Sequence, residues 1–262
     1  MSNPLVSIIM PCYKAENTID YSLKGILNQT YQNWELLLII DGSNDILLNK
    51  VKSSSKNDKR IKIIYSKNNR GVIRTRNIGI RLSSGSWIAF CDADDYWLPH
   101  KLTDQILKAK EENANIICSA FCFYYFGSNR LDLIQTKKII DYSVMLKTNA
   151  IPMSTAILKV DSYGKHYFPA IPDNFVHEDY AFWLTSLQNR SIKIAYISEV
   201  STHILKSHRS RSSNKLLSAK SHAYVLSNYT TLPKHRIALL MISYAYNAIL
   251  KRYSSRLTLK QT

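Results

Sequence analysis

Short apolar runs alternate with single stretches of helical periodicity through the first half of the chain, and no other feature constrains its fold as tightly. Leu5–Met10 (LVSIIM) is an apolar run ended by Pro11. Within Glu16–Asn28, Ile19, Leu23, Ile26 and Leu27 fall at i, i+4, i+7 and i+8, one helical stripe. Glu35–Ile40 (ELLLII) is closed by Asp41-Gly42-Ser43; Ser43 or Asn44 can cap the next helix, with Asp45 in its first turn. Arg60–Tyr65 alternates with period two, Gly71–Leu82 reads as helix, Ser83-Ser84-Gly85 stops it, and Trp87–Cys91 (WIAFC) is a further strand. Pro99 opens a helix to about Asn113, and Ala114–Phe126 is strand-like. Strands that are apolar throughout are buried on both faces, and one helix between each pair makes them parallel. The expected class is therefore α/β, a mainly parallel central sheet with helices on both faces. In such sheets ligands bind at the carboxyl ends of the strands. Asp41 and Asp92-Ala93-Asp94-Asp95 stand at two of those ends.

Beyond Asn129 the pattern predicts a strand near Thr155–Val160, a loop rich in proline and aromatics, a helix from Glu178 to Gln188 and a strand over Ile192–Ile197. Asn214–Tyr229 and Lys234–Tyr253 read as helices separated by Thr230–Pro233.

Composition excludes some classes. With 45% hydrophobic residues the chain can bury a core, so it is neither disordered nor fibrous. The four cysteines show no CxxC spacing and suit a reducing cytosol. The first dozen residues lack a basic segment and a cleavage site, and no run reaches the ~18 apolar residues of a membrane span. The formal net charge of +16 is uneven: from Val200 onward there are eleven Lys or Arg and no acid, leaving +5 for the preceding residues. Such a field attracts polyanions, either nucleic acid or a surface of acidic lipid.

Asp92 and Asp94, one residue apart at a strand end, can turn toward one site. Their oxygens suit Mg²⁺ or Mn²⁺, which bind through one or two carboxylates plus substrate phosphates. An acidic loop before a helix can also serve simply as its cap, but the context favours chemistry. Asn69-Arg70-Gly71 precedes a helix carrying Arg74, Arg76 and Asn77, a start that favours phosphate. Glu178-Asp179 offers a second carboxylate centre far along the chain. One acid for a metal and another for proton abstraction is what group transfer to a hydroxyl requires.

The blocks VSIIMPCY, ILNQTYQNWELLLIIDGSND, NRGVIRTRNIGI, GSWIAFCDADDYWLPHKL and HEDYAFW, in that order between about Val6 and Leu187, resemble the family 2 glycosyltransferases of the GT-A fold, of the type that builds bacterial surface polysaccharides. The resemblance implies a division into a GT-A catalytic domain over 1–212 and a basic helical extension over 213–262. Residues 1–126 would form its nucleotide-sugar-binding half and 127–212 its acceptor-binding half. It places Pro11 and Tyr13 beside the nucleotide, Asp41 on the base, Arg76 near the nucleotide, Asp92 on the ribose side and Asp94 on a Mn²⁺ or Mg²⁺ ion. Asp179 becomes the general base, with Glu178 beside it. The implied reaction is an inverting transfer from a nucleotide sugar, expected to be a UDP-hexose, to a hydroxyl of a glycan or a lipid-diphosphate-linked acceptor.

The chain departs from the family pattern at Ile40, where a first acid is usual, and at Lys14, where asparagine is frequent. The late segment of the family survives only as Ser210-Arg211-Ser212-Ser213, near His203 and His208, either of which could complete a metal shell, with His208 the expected ligand. Ile237–Leu250 is a run of 14 residues, apolar apart from Ser243 and Asn247, with Lys and Arg on both sides. It suits either a helix packed on the domain or one lying on an anionic membrane surface. Peripheral placement on the inner face of a cytoplasmic membrane follows from the second reading. A nucleotidyltransferase acting on sugar phosphates is the enzymatic alternative, disfavoured because PCYKAEN lacks the glycine-rich loop. A basic nucleic-acid-binding protein would explain the charge but not acids gathered at strand ends, so no nucleic-acid partner is expected.

Overall fold

The computed structural model describes residues 3–42, 45–55, 58–125, 130–134, 140–160, 164–189, 191–206 and 214–245. Its strands are β1 (Val6–Cys12), β2 (Trp34–Asp41), β3 (Ile61–Ser66), β4 (Trp87–Phe90), β5 (Tyr96–Trp97), β6 (Ile116–Tyr124), β7 (Leu131–Ile134), β8 (Ala156–Lys159) and β9 (Ile194–Leu205). The helices are α1 (Ile19–Leu27), α2 (Asp45–Ser54), α3 (Val72–Leu82), α4 (Lys101–Glu112), α5 (Tyr142–Lys147), α6 (Glu178–Ser186) and α7 (Lys215–Tyr229). Residues 234–245 are helical as well.

The sheet runs β3-β2-β1-β4-β8-β6-β9-β5, with β7 pairing β6. β3, β2, β1 and β4 are mutually parallel, as the alternation of strand and helix requires. β8 then enters antiparallel between β4 and β6, and β9 returns parallel to β6. All eight residues of β2 are buried, because helices cover both faces. On one face α1, α2 and α4 bury Ile19, Leu23, Leu47, Val51, Leu102 and Ile106. On the other, α3, α5, α6 and α7 bury Ile80, Met145, Phe182, Trp183, Val225 and Leu226. Gly79 lets α3 lie directly on β1, since a Cβ there would overlap the Ile9 side chain. That seating fixes the height of Arg76, one turn earlier.

Three departures from the expected elements have physical causes. β1 continues through Pro11 to Cys12; beyond Ile9 it pairs only with β2, and a strand paired on one side tolerates the missing N–H of proline. β9 extends well past Ile197, to Leu205. Its ladder with β6 jumps from Ile197–Ser119 to Val200–Ala120, so Ser198 and Glu199 bulge outward and break the alternation that marks a strand. As a result His203 is a strand residue opposite Tyr96 and Cys122, not part of the basic loop. Finally, β5, β7 and α5 had no signal in the pattern, being two, four and six residues long.

The C-terminal helices pack on the domain. Ile237, Leu240 and Met241 lie against the second core cluster, while Leu239 and Ile242 face outward at 63% and 66% exposure. Among the described residues no helix is long and apolar enough to cross a membrane.

Candidate active site

Asp41 ends β2 where that strand and β3 run out side by side, opposite Ser66. Its buried carboxylate accepts the backbone N–H of Arg70 at 2.8 Å and that of Gly71 at 2.9 Å. The clasp shapes the turn into α3, where Gly71 takes a φ of 80° that most side chains avoid. Beside it opens a cleft of about 290 Å³ lined by Cys12, Tyr13, Lys14, Asp41, Lys67 and Asn69 among others. Tyr13 presents a half-exposed ring, and Lys14 sits in the left-handed region at φ 50°. A carboxylate acceptor, a ring and two amines around a slot of this size can receive a planar base with its attached phosphates. Pro11 directly precedes Cys12, which lines this cleft, in β1.

The acid loop follows β4. The hydroxyl of Ser154 accepts the Asp92 N–H at 3.1 Å and donates to the Asp95 carboxylate, while the Ser154 carbonyl accepts the Trp97 indole N–H at 2.9 Å. Asp95 also accepts the Leu205 N–H at 3.1 Å. Asp95 is thus the buried anchor of the loop, and burial followed by the charges of Asp94 and Asp92 pushes its carboxyl well up. The Asp94 carbonyl accepts the Tyr124 hydroxyl at 2.6 Å. Burial and the neighbouring Asp92 raise the Asp94 carboxyl to about 6. Burial first, then the charges of Asp92 and Asp94, likewise raise the Cys12 thiol at the end of β1.

Arg76 links the two ends of the site. Its guanidinium, only 4% exposed, donates to Asp92 at 2.7 Å and to Glu178 at 3.3 Å, and lies 5.2 Å from the centre of the Phe168 ring. Burial opposes its charge, but Asp92, Glu178 and then Asp179 outweigh it and hold the group ionised. Sequence reasoning set Arg76 beside a nucleotide; the structure encloses it between carboxylates. Its neighbour Asn77 exchanges two hydrogen bonds with the Phe168 backbone, at 3.0 and 2.8 Å, and so keeps that ring in place.

Glu178 and Asp179 open α6, entered through His177 at φ 76°. A non-glycine residue held there is uncommon and marks a constrained junction. Asp179 accepts the Asn149 amide N–H at 2.7 Å on Oδ2 and the Tyr180 N–H at 2.8 Å on Oδ1. Burial, then the charge of Glu178, raises its carboxyl above the ordinary range, against the opposing pull of His177 and Arg76. A carboxylate held in this way takes up a proton more readily than a free aspartate.

The structure therefore brings Asp92 and Glu178 onto the Arg76 guanidinium, with Asp94 and Asp179 close to them in the chain, and sets Asp41 and Tyr13 on the cleft at the end of β1 and β2. His208 lies outside the described residues, and His203 is half-buried against Tyr96. Sequence reasoning missed Ser154 and Asn149, uncharged residues in a stretch without periodicity. Their only signal was polarity beside apolar β8.

The acid loop fits a hard divalent cation. Asp92 and Asp95 have protein partners, while Asp94 meets a like charge that a cation would relieve. One or two carboxylates plus phosphate oxygens suffice for such an ion. Among the described residues no three acids, histidines or cysteines form a preassembled cage.

Residues 7–168 match the family model described as glycosyl transferase family 2. The chain is 35% identical over 242 residues to the Escherichia coli UDP-Glc:alpha-D-GlcNAc-diphosphoundecaprenol beta-1,3-glucosyltransferase WfgD, covering 92% of each chain. TarS of S. aureus in complex with UDP-GlcNAc superposes with a TM-score of 0.69 at 18% identity, over 92% of this chain and 71% of that one. The mannosyltransferase PcManGT from Pyrobaculum calidifontis, in complex with GDP-Man and Mn2+, does so at 0.64 and 15% identity, over 94% and 70%. The sheet order, the acids at its carboxyl edge and these matches place the chain in glycosyl transferase family 2, with the GT-A fold.

Proposed function

We propose that this glycosyltransferase moves a hexose from a UDP-sugar to a hydroxyl of a lipid-diphosphate-linked glycan, with inversion. The observation that carries the reading is the position of Arg76, which ties the strand-end acid Asp92 to the helix-start acid Glu178, the residue before Asp179. A donor whose base lies against Asp41 and Tyr13 would extend its diphosphate toward Asp92 and Asp94. Asp94, with Asp92 beside it, would hold Mn²⁺ or Mg²⁺, which supplies positive charge to the departing diphosphate. Asp179 stands beyond Arg76 and takes the proton of the acceptor hydroxyl as that oxygen attacks the anomeric carbon. Attack from the face opposite the leaving group inverts the centre. Arg76 keeps Asp92 and Glu178 apart and fixed, so the carboxylates need not reorganise as charge develops.

Residues 1–126 carry the donor contacts in this reading and 127–212 the acceptor contacts. The donor and acceptor classes draw support from the relative named for UDP-Glc and a diphosphoundecaprenol acceptor, which this chain matches over nearly its whole length. An acceptor on a lipid carrier brings the enzyme to a bilayer. The outward Leu239 and Ile242, exposed Leu216 and the basic Lys215, Lys220, Lys234 and Arg236 suit contact with an anionic membrane surface.

A panel of UDP-hexoses, each incubated with the enzyme and Mn²⁺ and followed by UDP release, tests the donor assignment. One sugar is expected to turn over, and EDTA to stop it. UDP release from none of them, with turnover of a GDP- or dTDP-sugar instead, would overturn the uridine assignment.

A further inference from the structure

We infer that Asn149 is a positioning residue for Asp179, holding the base carboxylate in the orientation from which it takes the acceptor proton; the inference rests on the reading of Asp179 as that base. The Asp179 carboxylate has one long-range partner among the described residues, the Asn149 side-chain amide, at 2.7 Å from Oδ2. Its other bond, from Tyr180 N–H to Oδ1, is made by the next residue in the chain and leaves the carboxylate plane free to tilt. A carboxylate can only accept, so the NH₂ end of the amide must face it. The opposite end of the amide, Asn149 Oδ1, is buried without a hydrogen-bond partner among the described residues. Native structures seldom leave such an oxygen unpaired, and an amide kept merely for packing would satisfy both ends. Here the amide serves the carboxylate alone.

The backbone around Asn149 is fixed for this task. Asp141 caps α5 by accepting the Val144 N–H at 2.8 Å, and Met145 is wholly buried beneath the helix. The Tyr180 hydroxyl, one residue past the base, donates to the Leu146 carbonyl at 3.3 Å. The segment carrying the amide is therefore fastened to the helix carrying the acid. The charged and titratable groups facing Asp179 are Glu178 and His177 on its own segment and Arg76 from α3, while His222 of α7 stacks on Tyr180. A donated hydrogen bond favours the ionised carboxylate, so the amide works with Arg76 and against burial and Glu178.

Asn149→Ala and the isosteric Asn149→Asp, which cannot donate when ionised, test the inference on the full chain. Both are assayed for UDP release from the UDP-hexose that turns over in the panel, alongside Asp179→Asn. UDP binding by calorimetry and thermal melting control for folding. The expected result is unchanged UDP affinity and donor KM, with kcat lower by about tenfold or more. The acidic limb of the kcat profile is expected at higher pH in Asn149→Ala and higher still in Asn149→Asp. Wild-type kcat in Asn149→Ala would overturn the inference, as would a lower kcat with an unmoved limb, the mark of a merely structural residue. If Asp179→Asn itself turns over normally, the base assignment falls and the inference with it. If Asp179→Asn is inactive while Asn149→Ala behaves as wild type, the inference alone falls.

Discussion

The parallel half of the sheet and the half that follows it place their acids by different construction. In β3-β2-β1-β4 every pairing is parallel, and a single helix separates each of these strands from the next in chain order. The acids there, Asp41 and Asp92, lie at strand ends, where a parallel sheet exposes ligand sites. In the second half an antiparallel strand is inserted, β9 bulges, and the acids Glu178 and Asp179 sit at a helix start entered by a left-handed residue. Asp41 is clasped by two backbone amides of one turn, whereas Asp179 depends on a side chain from another element. At these two acids the first half relies on backbone donors alone and the second on a side chain as well. Substitution at Asp179 should accordingly act on rate, and at Asp41 on local folding and binding.

The largest effect expected from this contrast is on turnover. Asp179→Asn keeps the shape of the side chain but removes the proton acceptor. Transfer is expected to fall by about 10²–10⁴ while UDP binding stays near wild type. In the unmodified enzyme, burial and Glu178 raise the Asp179 carboxyl, so its ionised form is lost as pH falls through a value above the ordinary aspartate range. The acidic limb of kcat is expected there, and a limb in the ordinary range would remove Asp179 from the role.

Asp94→Asn should come next. It is expected to abolish the response of both UDP binding and turnover to Mn²⁺, measured by titrating the ion into enzyme and UDP; an unchanged response would place the metal elsewhere. Asp41→Ala should act through the backbone. It leaves the Arg70 and Gly71 amides without their carboxylate, a loss of about 1–3 kcal/mol of stability, and weakens UDP affinity. Chemical denaturation and calorimetry report the two effects separately, and a loss of rate with binding and stability intact would break the contrast between the halves. The smallest effect is expected from Leu239→Glu combined with Ile242→Glu on the outward face of the last helix. Sedimentation with anionic vesicles should fall while turnover of a water-soluble donor is unchanged, and equal sedimentation would leave the basic helices without a membrane role.

The same contrast explains what was legible in the sequence. Asp41 and Asp92 could be read because continuous apolar runs announce buried strands and the first polar residue marks the edge. Glu178 and Asp179 stood out as paired acids before aromatic residues, although nothing local predicts the left-handed His177. Ser154, which ties Asp92 to Asp95, and Asn149, which holds Asp179, were not legible. Their roles arise from contacts spanning 62 and 30 residues, and serine or asparagine in a non-periodic stretch carries no pattern. Arg76 was legible as a functional cation but not in its surroundings, because a sequence does not say which acids will close around it. The outward extension of β9 was hidden for a related reason, since the bulge at Ser198 and Glu199 interrupts the alternation.

The central claim is that one pocket holds a donor diphosphate on the Asp92–Asp94 side of Arg76 and the proton acceptor on the Glu178–Asp179 side. A crystal of the enzyme soaked with the intact UDP-sugar and Mn²⁺ addresses it directly. The expected map shows the anomalous manganese peak bridging Asp94 and the diphosphate, with the Asp179 carboxylate on the face of the anomeric carbon opposite the leaving oxygen. Manganese bound away from Asp94, or Asp179 lying on the leaving-group side of the sugar, would contradict it.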